Sequence, residues 1–426
     1  MTAYRVQPLD GPLATEVRVP GSKSIANRAL VCAALAEGRS VLHGIAPGDD
    51  TAAMLDCLAG LGIGCAFADA ADDVVAVDGT GGVFAPGAVT LQTRLAGTTS
   101  RFVTALAALG SSEIVVDGEA ALRRRPMAPL HEALVALGAT VRPLSEPGQL
   151  PVGVCGPLRG AGAGALPIRG DVSSQYITAL MLIGPYLPGG LLLQMTTPLV
   201  SRSYVGITAA VMASFGVTGV EVGDDLVVVP AGRYRATDYV VEPDASSASY
   251  PLAAAAVAGG TVHVAGLTAQ ALQGDAQFVH VLAEMGCEVV QTATGTTVTR
   301  EGPLRGLDID MVDMSDLVPT LAVVAAFATT PTIIRGVGFI RAKESDRLGD
   351  LCHELQAAGV RATETDDGLV VQPGAPSPAL LHTHHDHRLA MAFALLGLVA
   401  DGIEIDDPGV VSKSWPDYWQ MLEGLG

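Results

Sequence analysis

The sequence predicts an α/β fold built from six repeats, three to each of two lobes. Two periodic series of helices and the strands between them carry that expectation. The first series is an amphipathic helix closed by glycine: MLDCLAGLG ends at Gly62, LHEALVALG at Gly138, AAVMASFG at Gly216, FVHVLAEMG at Gly286, LCHELQAAG at Gly359 and YWQMLEGLG at Gly426. The intervals are 76, 78, 70, 73 and 67 residues, and glycine at that place accepts the left-handed turn that ends a helix. The second series is a nearly all-apolar helix opened by a polar residue, at Ser24, Thr98, Ser173, Ser246, Asp316 and Asp386, with intervals of 74, 75, 73, 70 and 70. Two series with one period define a unit of about 71 residues, too long for a helical solenoid repeat.

Between the helices lie β-branched runs bounded by Gly, Asp or Pro, at 73–77, 114–116, 226–229 and 368–371, which predict strands. The longest apolar stretch, 177–195, is interrupted by Pro185, Pro188 and a Gly-Gly pair, so it predicts helix, turn and strand rather than a membrane span. Six units divide into two lobes of three, with the boundary between residues 235 and 242. At 426 residues the chain exceeds the size of one ordinary core, which also favours two domains. With 49% hydrophobic but only 4% aromatic residues, the interior must be packed mainly with Ala, Val and Leu.

A net charge of −19 argues against nucleic acid and anionic membrane as partners, because both are held by net positive surfaces. Any anion site must then be local. The six cysteines show no CxxC and no metal-ligand spacing, which predicts reduced core residues of a cytoplasmic protein and no metal centre. The opening MTAYRVQPLDGPL lacks the apolar core of a secretion signal.

Only three lysines occur, Lys23, Lys343 and Lys413, against 22 arginines, and each lies within two residues of a serine. Lys23 and Arg28 flank the start of the first apolar helix in PGSKSIANRAL, where Ser24 suits the N-cap. The same phase of later units gives Gly97-Thr98-Thr99-Ser100-Arg101, Ser173-Ser174-Gln175, Ser315-Asp316 and Asp386-His387-Arg388. The second helices repeat the habit with Arg125 before Pro126, Ser201 and Tyr204, Lys343-Glu344-Ser345-Asp346-Arg347, and Lys413. Cations at helix N-termini oppose the macrodipole by up to ~1 kcal/mol each, so an anion must compensate them. Ordinary surface lysines and arginines favour the other end of a helix. Arg123 and Arg124 fit a solvated basic turn, and His387 fits a buried core histidine rather than a metal ligand. Asp316 has two roles open to it, helix cap or general base.

With these residues assembled, the chain resembles the 5-enolpyruvylshikimate-3-phosphate synthase family of enolpyruvyl transferases. PGSKSIANRAL, LAGTTSRF, RRRPMAPL, VSSQYITALM, DASSASYPLAAAA, AKESDRL, DHRLAMAF and KSWPDYW stand in the family's order over nearly the whole length. The resemblance implies a two-lobed inside-out α/β barrel of six βαβαββ-type repeats, with the active site in the interlobe cleft. It also implies that the N-terminal strand packs with the second lobe, so the expected lobes are 20–238 and 1–19 plus 239–426.

The implied reaction joins shikimate 3-phosphate to phosphoenolpyruvate with release of phosphate, in the cytoplasm, with no cofactor and with a monomer as the expected state. Shikimate 3-phosphate is expected at Lys23, Ser24, Arg28, Ser173, Ser174, Gln175, Ser201, Tyr204, Asp316 and Lys343. Phosphoenolpyruvate is expected at Lys23, Gly97, Arg125, Gln175, Arg347, Arg388 and Lys413. Asp316 is the expected base and Glu344 the carbon acid, with Lys23 its competitor and the proton source for departing phosphate. Inhibition by glyphosate is expected through Gly97 and Thr98. Two positions depart from the family pattern: Leu95 stands where Asn is frequent and Phe339 where Asn or His often meets the acceptor, which leaves another phosphorylated cyclitol as an alternative acceptor. UDP-N-acetylglucosamine enolpyruvyl transferases share the repeat but carry a reactive cysteine before the Arg-Pro, and 117–126 holds none. A non-catalytic clamp on nucleic acid would spread its cations along helix faces, not at helix starts.

Overall fold

The computed structural model describes residues 3–68, 73–84, 87–160, 162 and 164–426; Met1 and Thr2 of the expected second lobe lie outside the described residues. The chain divides into two compact units, one of Gly21–Val241 and one that joins Glu242–Gly426 to the N-terminal segment ending at Pro20.

In Gly21–Val241 the helices are α1 (Lys23–Leu35), α2 (Asp49–Gly60), α3 (Gly97–Ala107), α4 (Ala120–Arg123), α5 (Ala128–Ala136), α6 (Ser174–Ile183) and α7 (Arg202–Ser214). Helices α1, α3 and α6 are apolar on nearly every side, which only full burial accommodates. They pack on one another at the centre of the unit's hydrophobic core. Helices α2, α5 and α7 keep one polar side and cover the outside of that core. The alternation comes from the sequence: the first helix of each repeat is built largely of buried Ala, Leu, Ile, Val and Thr, and the second leaves exposed positions such as Asp56, Glu132 and Ser214.

Each repeat of this unit adds a four-stranded sheet with one parallel edge. Asp238–Val240, Glu37–His43, Val75–Thr80 and Gly64–Phe67 form the first; Val89–Gln92, Ile114–Asp117, Val152–Cys155 and Thr140–Pro143 the second; Leu166–Ile168, Leu191–Met195, Leu226–Val229 and Glu221–Val222 the third. In the second sheet the parallel pair Val89–Gln92 and Ile114–Asp117 is joined through α3, a βαβ crossover, and two antiparallel strands complete it. In the first sheet the parallel strand is Asp238–Val240, which lies about 200 residues away in the chain.

The other unit repeats the plan with α8 (Ala245–Ala258), α9 (Phe278–Met285), α10 (Val318–Ala326), α11 (Gly349–Ala357), α12 (His387–Gly397) and α13 (Tyr418–Glu423). Here α8, α10 and α12 are the buried helices. Leu13–Val17 supplies the parallel edge of its first sheet by pairing with Gly260–Ala265 in the register Leu13 to Gly260. Its second sheet is Asp308–Asp310, Thr332–Arg335, Leu369–Val371 and Ala362–Glu364, and its third is Ala379–Leu381, Ile403–Ile405 and Tyr4–Arg5.

The glycine series ends its helices as the sequence predicts: Gly62, Gly138, Gly216, Gly286 and Gly359 have φ of 82°, 101°, 90°, 116° and 81°, a region other residues enter only with strain. The stretch 177–195 is helix, 3₁₀ turn and strand. All six cysteines are free thiols. Among the described residues no helix is long and apolar enough to cross a membrane.

Three local expectations need correction. The cap of α1 is Ser22, whose hydroxyl accepts from the Ile25 N–H, so Ser24 sits inside the first turn. Two serines flank Lys23, and the extended backbone of Ser22 (φ −60°, ψ 112°) makes it the cap. Asp316 does not cap α10 with its side chain; it lies in a 3₁₀ turn, Ser315–Leu317, ahead of the helix. Lys343 and Lys413 follow or end the 3₁₀ segments Gly338–Ala342 and Pro408–Lys413, several residues before α11 and α13. Their unusual placement is therefore on tight turns that lead to helices, not on the helix starts themselves.

Candidate active site

Side-by-side burial of α1, α3 and α6 brings their N-termini together, and the sequence puts its polar residues there. Gln175 Nε2 donates to Thr98 Oγ1 at 3.3 Å, linking the starts of α6 and α3. Ser173 caps α6 by accepting from the Gln175 N–H, and Ser174 beside it is buried. Lys23 Nζ meets Asp50 Oδ2 at 2.9 Å, so the first residue of α1 is held by the first turn of α2.

Arg28, one turn into α1 and only 2% exposed, is one of the unit's buried cations. Its Nε donates to Thr208 Oγ1 at 2.9 Å, Nη1 to the Ser24 carbonyl at 2.6 Å, and Nη2 to Thr178 Oγ1 at 3.3 Å and the Tyr204 carbonyl at 3.2 Å. The guanidinium also faces the rings of Phe102 and Tyr204, at 5.6 and 5.9 Å. Burial pushes it down to about 10, so it stays cationic at neutral pH. These four bonds use all but one N–H of the fork, and among the described residues the remaining one, on Nη1, meets no acceptor. Ser201, buried at φ 53°, holds a left-handed backbone just before α7 and Tyr204, a conformation that serine adopts under strain.

Gly97 opens α3 beside two guanidiniums. A Cβ on it would lie 2.6 Å from Arg125 Nη1 and 2.8 Å from Arg101 Nη1, so the absence of a side chain is what lets both approach the helix end. Arg101 Nη1 donates to the Gly97 carbonyl at 2.9 Å. Its Nη2 shares the Pro126 carbonyl with the Tyr176 hydroxyl, which fixes the turn that carries Arg125.

The second cluster is built in the other unit on the starts of α10 and α12 and the turn before α11. Arg347 is 1% exposed. Its Nε and Nη2 grip Asp386 at 2.6 and 3.2 Å, Nη1 donates to Asp316 Oδ1 at 2.9 Å, and Nη2 to Glu344 Oε2 at 2.8 Å. Asp386 also caps α12 by accepting from the Arg388 N–H. Asp316 Oδ2 accepts from Arg388 Nη2 at 2.8 Å, and Lys343 Nζ stands 3.9 Å from Oδ1. Glu344 Oε1 faces Lys413 Nζ at 3.4 Å. Four cations thus meet three carboxylates, a net of one positive charge.

Burial pushes the Asp316 carboxyl up, but Arg388, Lys343 and Arg347 together overcome it and hold the group well below the usual carboxylate range. Arg347 is pushed further up: desolvation opposes its charge, and Asp386, Glu344 and Asp316 outweigh that. Asp275 behaves oppositely. Enclosed at the start of α8 with Ser246 donating to it, it is pushed up to about 7, chiefly by burial and then by the charge of Asp316. Phe339 supplies a ring rather than a polar group: the Lys343 ammonium lies 5.7 Å from its centroid. Among the described residues no group of three or more His, Cys, Asp or Glu is arranged to hold a metal ion.

The structure gathers Lys23, Ser24, Arg28, Gly97, Arg125, Ser173, Ser174, Gln175, Ser201 and Tyr204 into one unit, and Asp316, Lys343, Glu344, Arg347, Arg388 and Lys413 into the other. Sequence reasoning did not assign Asp50, Arg101, Asp275 or Asp386 to the site. Asp386 looked like a helix-start acid, Arg101 was visible only as the arginine that follows Gly97 by one helical turn, and nothing in the local pattern singled out Asp50 or Asp275. The partners that tie them into the clusters, Lys23, the Pro126 carbonyl, Ser246 and Arg347, lie about 25–39 residues away in the chain, beyond the reach of local patterns.

Each cluster concentrates cations on helix starts and tight turns, a setting suited to small polyanions, and the second adds carboxylates among them. Comparison with known proteins gives the same class. Residues 9–422 match the family described as EPSP synthase (3-phosphoshikimate 1-carboxyvinyltransferase). The 3-phosphoshikimate 1-carboxyvinyltransferase of Nostoc punctiforme is 42% identical over 428 residues, covering 99% of this chain and 100% of that protein. The enzyme of the same name from a second Nostoc is 41% identical, with 98% of each covered. Among solved structures, an EPSP synthase from Acinetobacter baumannii superposes with a TM-score of 0.82 at 24% identity, covering 99% of this chain and 98% of that one, which shows the fold.

Asp275 yields a pH test. Its folded pKa of about 7 lies above the ordinary 3.8, so its contribution to stability is complete below about pH 4 and is lost as the pH rises towards 7. Asp275→Asn carries no such charge at any pH. Its stability relative to the wild type should therefore improve on the order of 1–4 kcal/mol between pH 4.5 and 7.5, as urea denaturation at the two pH values reports. A pH-independent difference would show that Asp275 is ionised throughout.

Proposed function

The chain belongs to the EPSP synthase (3-phosphoshikimate 1-carboxyvinyltransferase) family and transfers the enolpyruvyl group of phosphoenolpyruvate to shikimate 3-phosphate; on that premise we propose how its two clusters divide the work. Both act on one pair of substrates. Ser24, Arg28, Ser173, Ser174, Gln175, Ser201 and Tyr204, with Lys23, Asp316 and Lys343, hold shikimate 3-phosphate. The unused N–H of Arg28 and the hydroxyls at the start of α6 supply neutral and cationic donors suited to phosphate and ring oxygens. Gly97, Arg125, Gln175, Lys23, Arg347, Arg388 and Lys413 hold phosphoenolpyruvate, whose carboxylate and phosphate match guanidinium forks.

Asp316 takes the proton of the 5-hydroxyl as that oxygen bonds to C2 of phosphoenolpyruvate, and Glu344, once it has taken a proton from water as the substrate draws Lys413 away, delivers that proton to C3, turning the methylene into a methyl. The tetrahedral intermediate then returns a methyl proton to the Glu344 carboxylate and expels phosphate, which Lys23 protonates, leaving the enolpyruvyl ether. The observation that carries this assignment is the triple contact of Asp316 with Lys343, Arg347 and Arg388. Those cations make Asp316 a weak base. Arriving phosphoenolpyruvate competes for Arg388 and Lys413, which raises the basicity of Asp316 and frees an oxygen of Glu344 as the reactants come together. A single chain supplies every group, so a monomer suffices, and six free thiols support a reducing, cytoplasmic setting.

The deciding assay is phosphate release from phosphoenolpyruvate with shikimate 3-phosphate as acceptor and UDP-N-acetylglucosamine as the control. Release with shikimate 3-phosphate alone is expected, and none with it would end this reading. Asp316→Asn should lower kcat by roughly 10²–10⁴ while shikimate 3-phosphate still binds, and unchanged turnover would remove Asp316 from the chemistry. Gly97→Ala should raise KM for phosphoenolpyruvate by about tenfold or more, because its methyl displaces Arg125 and weakens a charge-assisted hydrogen bond. An unaltered KM would mean that Arg125 does not touch this substrate.

A further inference from the structure

We propose that the histidine segment 382–385, gripped by the buried carboxylate of Glu354, is a positioning element that sets where Arg347, Arg388 and Lys413 stand and so governs affinity for phosphoenolpyruvate. This rests on the assignment of those three cations to phosphoenolpyruvate made above.

Glu354 projects from α11 and is 1% exposed. A carboxylate so enclosed needs strong partners, and both oxygens have them from one segment: Oε1 accepts from His384 Nε2 at 2.8 Å and Oε2 from the His382 N–H at 2.9 Å. An ionised carboxylate only accepts, so the proton of that contact sits on Nε2. The other ring nitrogen of His384 stands 3.6 Å from Asp350, also on α11. The histidine segment is thus fastened to α11 at several points.

The segment is fastened on its other side as well. Asp406 accepts from the Thr383 N–H at 2.6 Å and pairs with His382 Nδ1 at 2.6 Å, and His385 Nδ1 lies 3.4 Å from Asp407 Oδ2. Asp406 and Asp407 lead directly into the 3₁₀ segment Pro408–Lys413 that ends at Lys413. Between these grips His384 and His385 both adopt left-handed backbones, at φ 51° and 59°. Two adjacent residues with Cβ atoms do not hold that geometry without outside support. Its effect is a sharp reversal: the Asp386 N–H folds back onto the Thr383 carbonyl at 2.8 Å. Asp386 emerges aimed at Arg347 and caps the helix that begins His387-Arg388.

Four residues therefore join the carriers of all three cations: Arg347 just ahead of α11, Arg388 in the first turn of α12, and Lys413 at the end of the turn after Asp407. None of the four touches Asp316, Glu344 or the three cations with its own side chain, so their part is to place rather than to react.

The test varies each substrate in turn in the phosphate-release assay. His384→Gly keeps the left-handed backbone at no cost and deletes the Glu354 contact, so the chain should fold. KM for phosphoenolpyruvate should rise about tenfold while that for shikimate 3-phosphate stays within about twofold. His384→Asn, which tolerates the same backbone and keeps an amide donor, should recover part of the loss, and Glu354→Gln, equal in shape, should fall between the two. A rise in both KM values together, or in neither, overturns the positioning role. Arg388→Gln in parallel separates the two claims. A raised KM for phosphoenolpyruvate there, with none in His384→Gly, sinks the positioning role alone. No rise in either sinks the assignment of the cation cluster and the positioning role with it.

Discussion

The guanidinium of Arg347 is the constraint around which the second cluster is organised. A charge enclosed to 1% exposure is tolerable only if carboxylates meet it with good geometry, and three do: Asp386, Asp316 and Glu344. Asp386 holds it through two bonds and simultaneously caps α12, which makes that pair the fixed part of the network. Asp316 and Glu344 each share a second cation on the outer side, Arg388 or Lys413. The network therefore has an immobile centre and an exchangeable rim, and an incoming dianion acts on the rim. Net positive charge is kept to one unit, small enough to fold in the absence of substrate and large enough to attract it.

In the other unit the solution differs in kind. Arg28 is buried among hydroxyls, carbonyls and ring faces, and among the described residues no carboxylate pairs with it, so its charge is not neutralised by a carboxylate among them. Lys23 has Asp50, while Arg101 and Arg125 converge on Gly97. One cluster is an ion network ready to exchange partners, and the other is a rigid donor array. A reaction that must grip a substrate firmly and also move two protons uses both designs.

The repeat and its phase were legible because capping and helix-ending chemistry is local: Ser173 and Asp386 cap where their neighbours predict, and Gly62 to Gly359 stand in the left-handed region that their placement requires. The register of the α1 cap was misplaced by two residues because Ser22 and Ser24 are chemically equivalent in a sequence and differ only in backbone angle. Asp386 was read as a helix start and not as the partner of Arg347, since nothing within four residues of it points there. His384 and its neighbours carry no local signal of a role. Their work depends on Glu354, 30 positions upstream, and such a pairing is created by the fold alone.

Leu13–Val17 pairs with Gly260–Ala265, and Asp238–Val240 pairs with Glu37–His43, so each unit closes its first sheet with a strand that sequence order would have given to the other. This trade has a consequence during synthesis. Gly21–Val241 can complete its sheets as soon as it leaves the ribosome, whereas Leu13–Val17, made first, has no partner until nearly 250 further residues have been added, on the order of tens of seconds at ~5–20 residues per second. For that interval the chain carries an unpaired edge at its leading end. The segment is short and carries the charge of Glu16, and Asp10, Gly11 and Pro12 precede it, a composition that keeps a waiting strand from joining the wrong sheet.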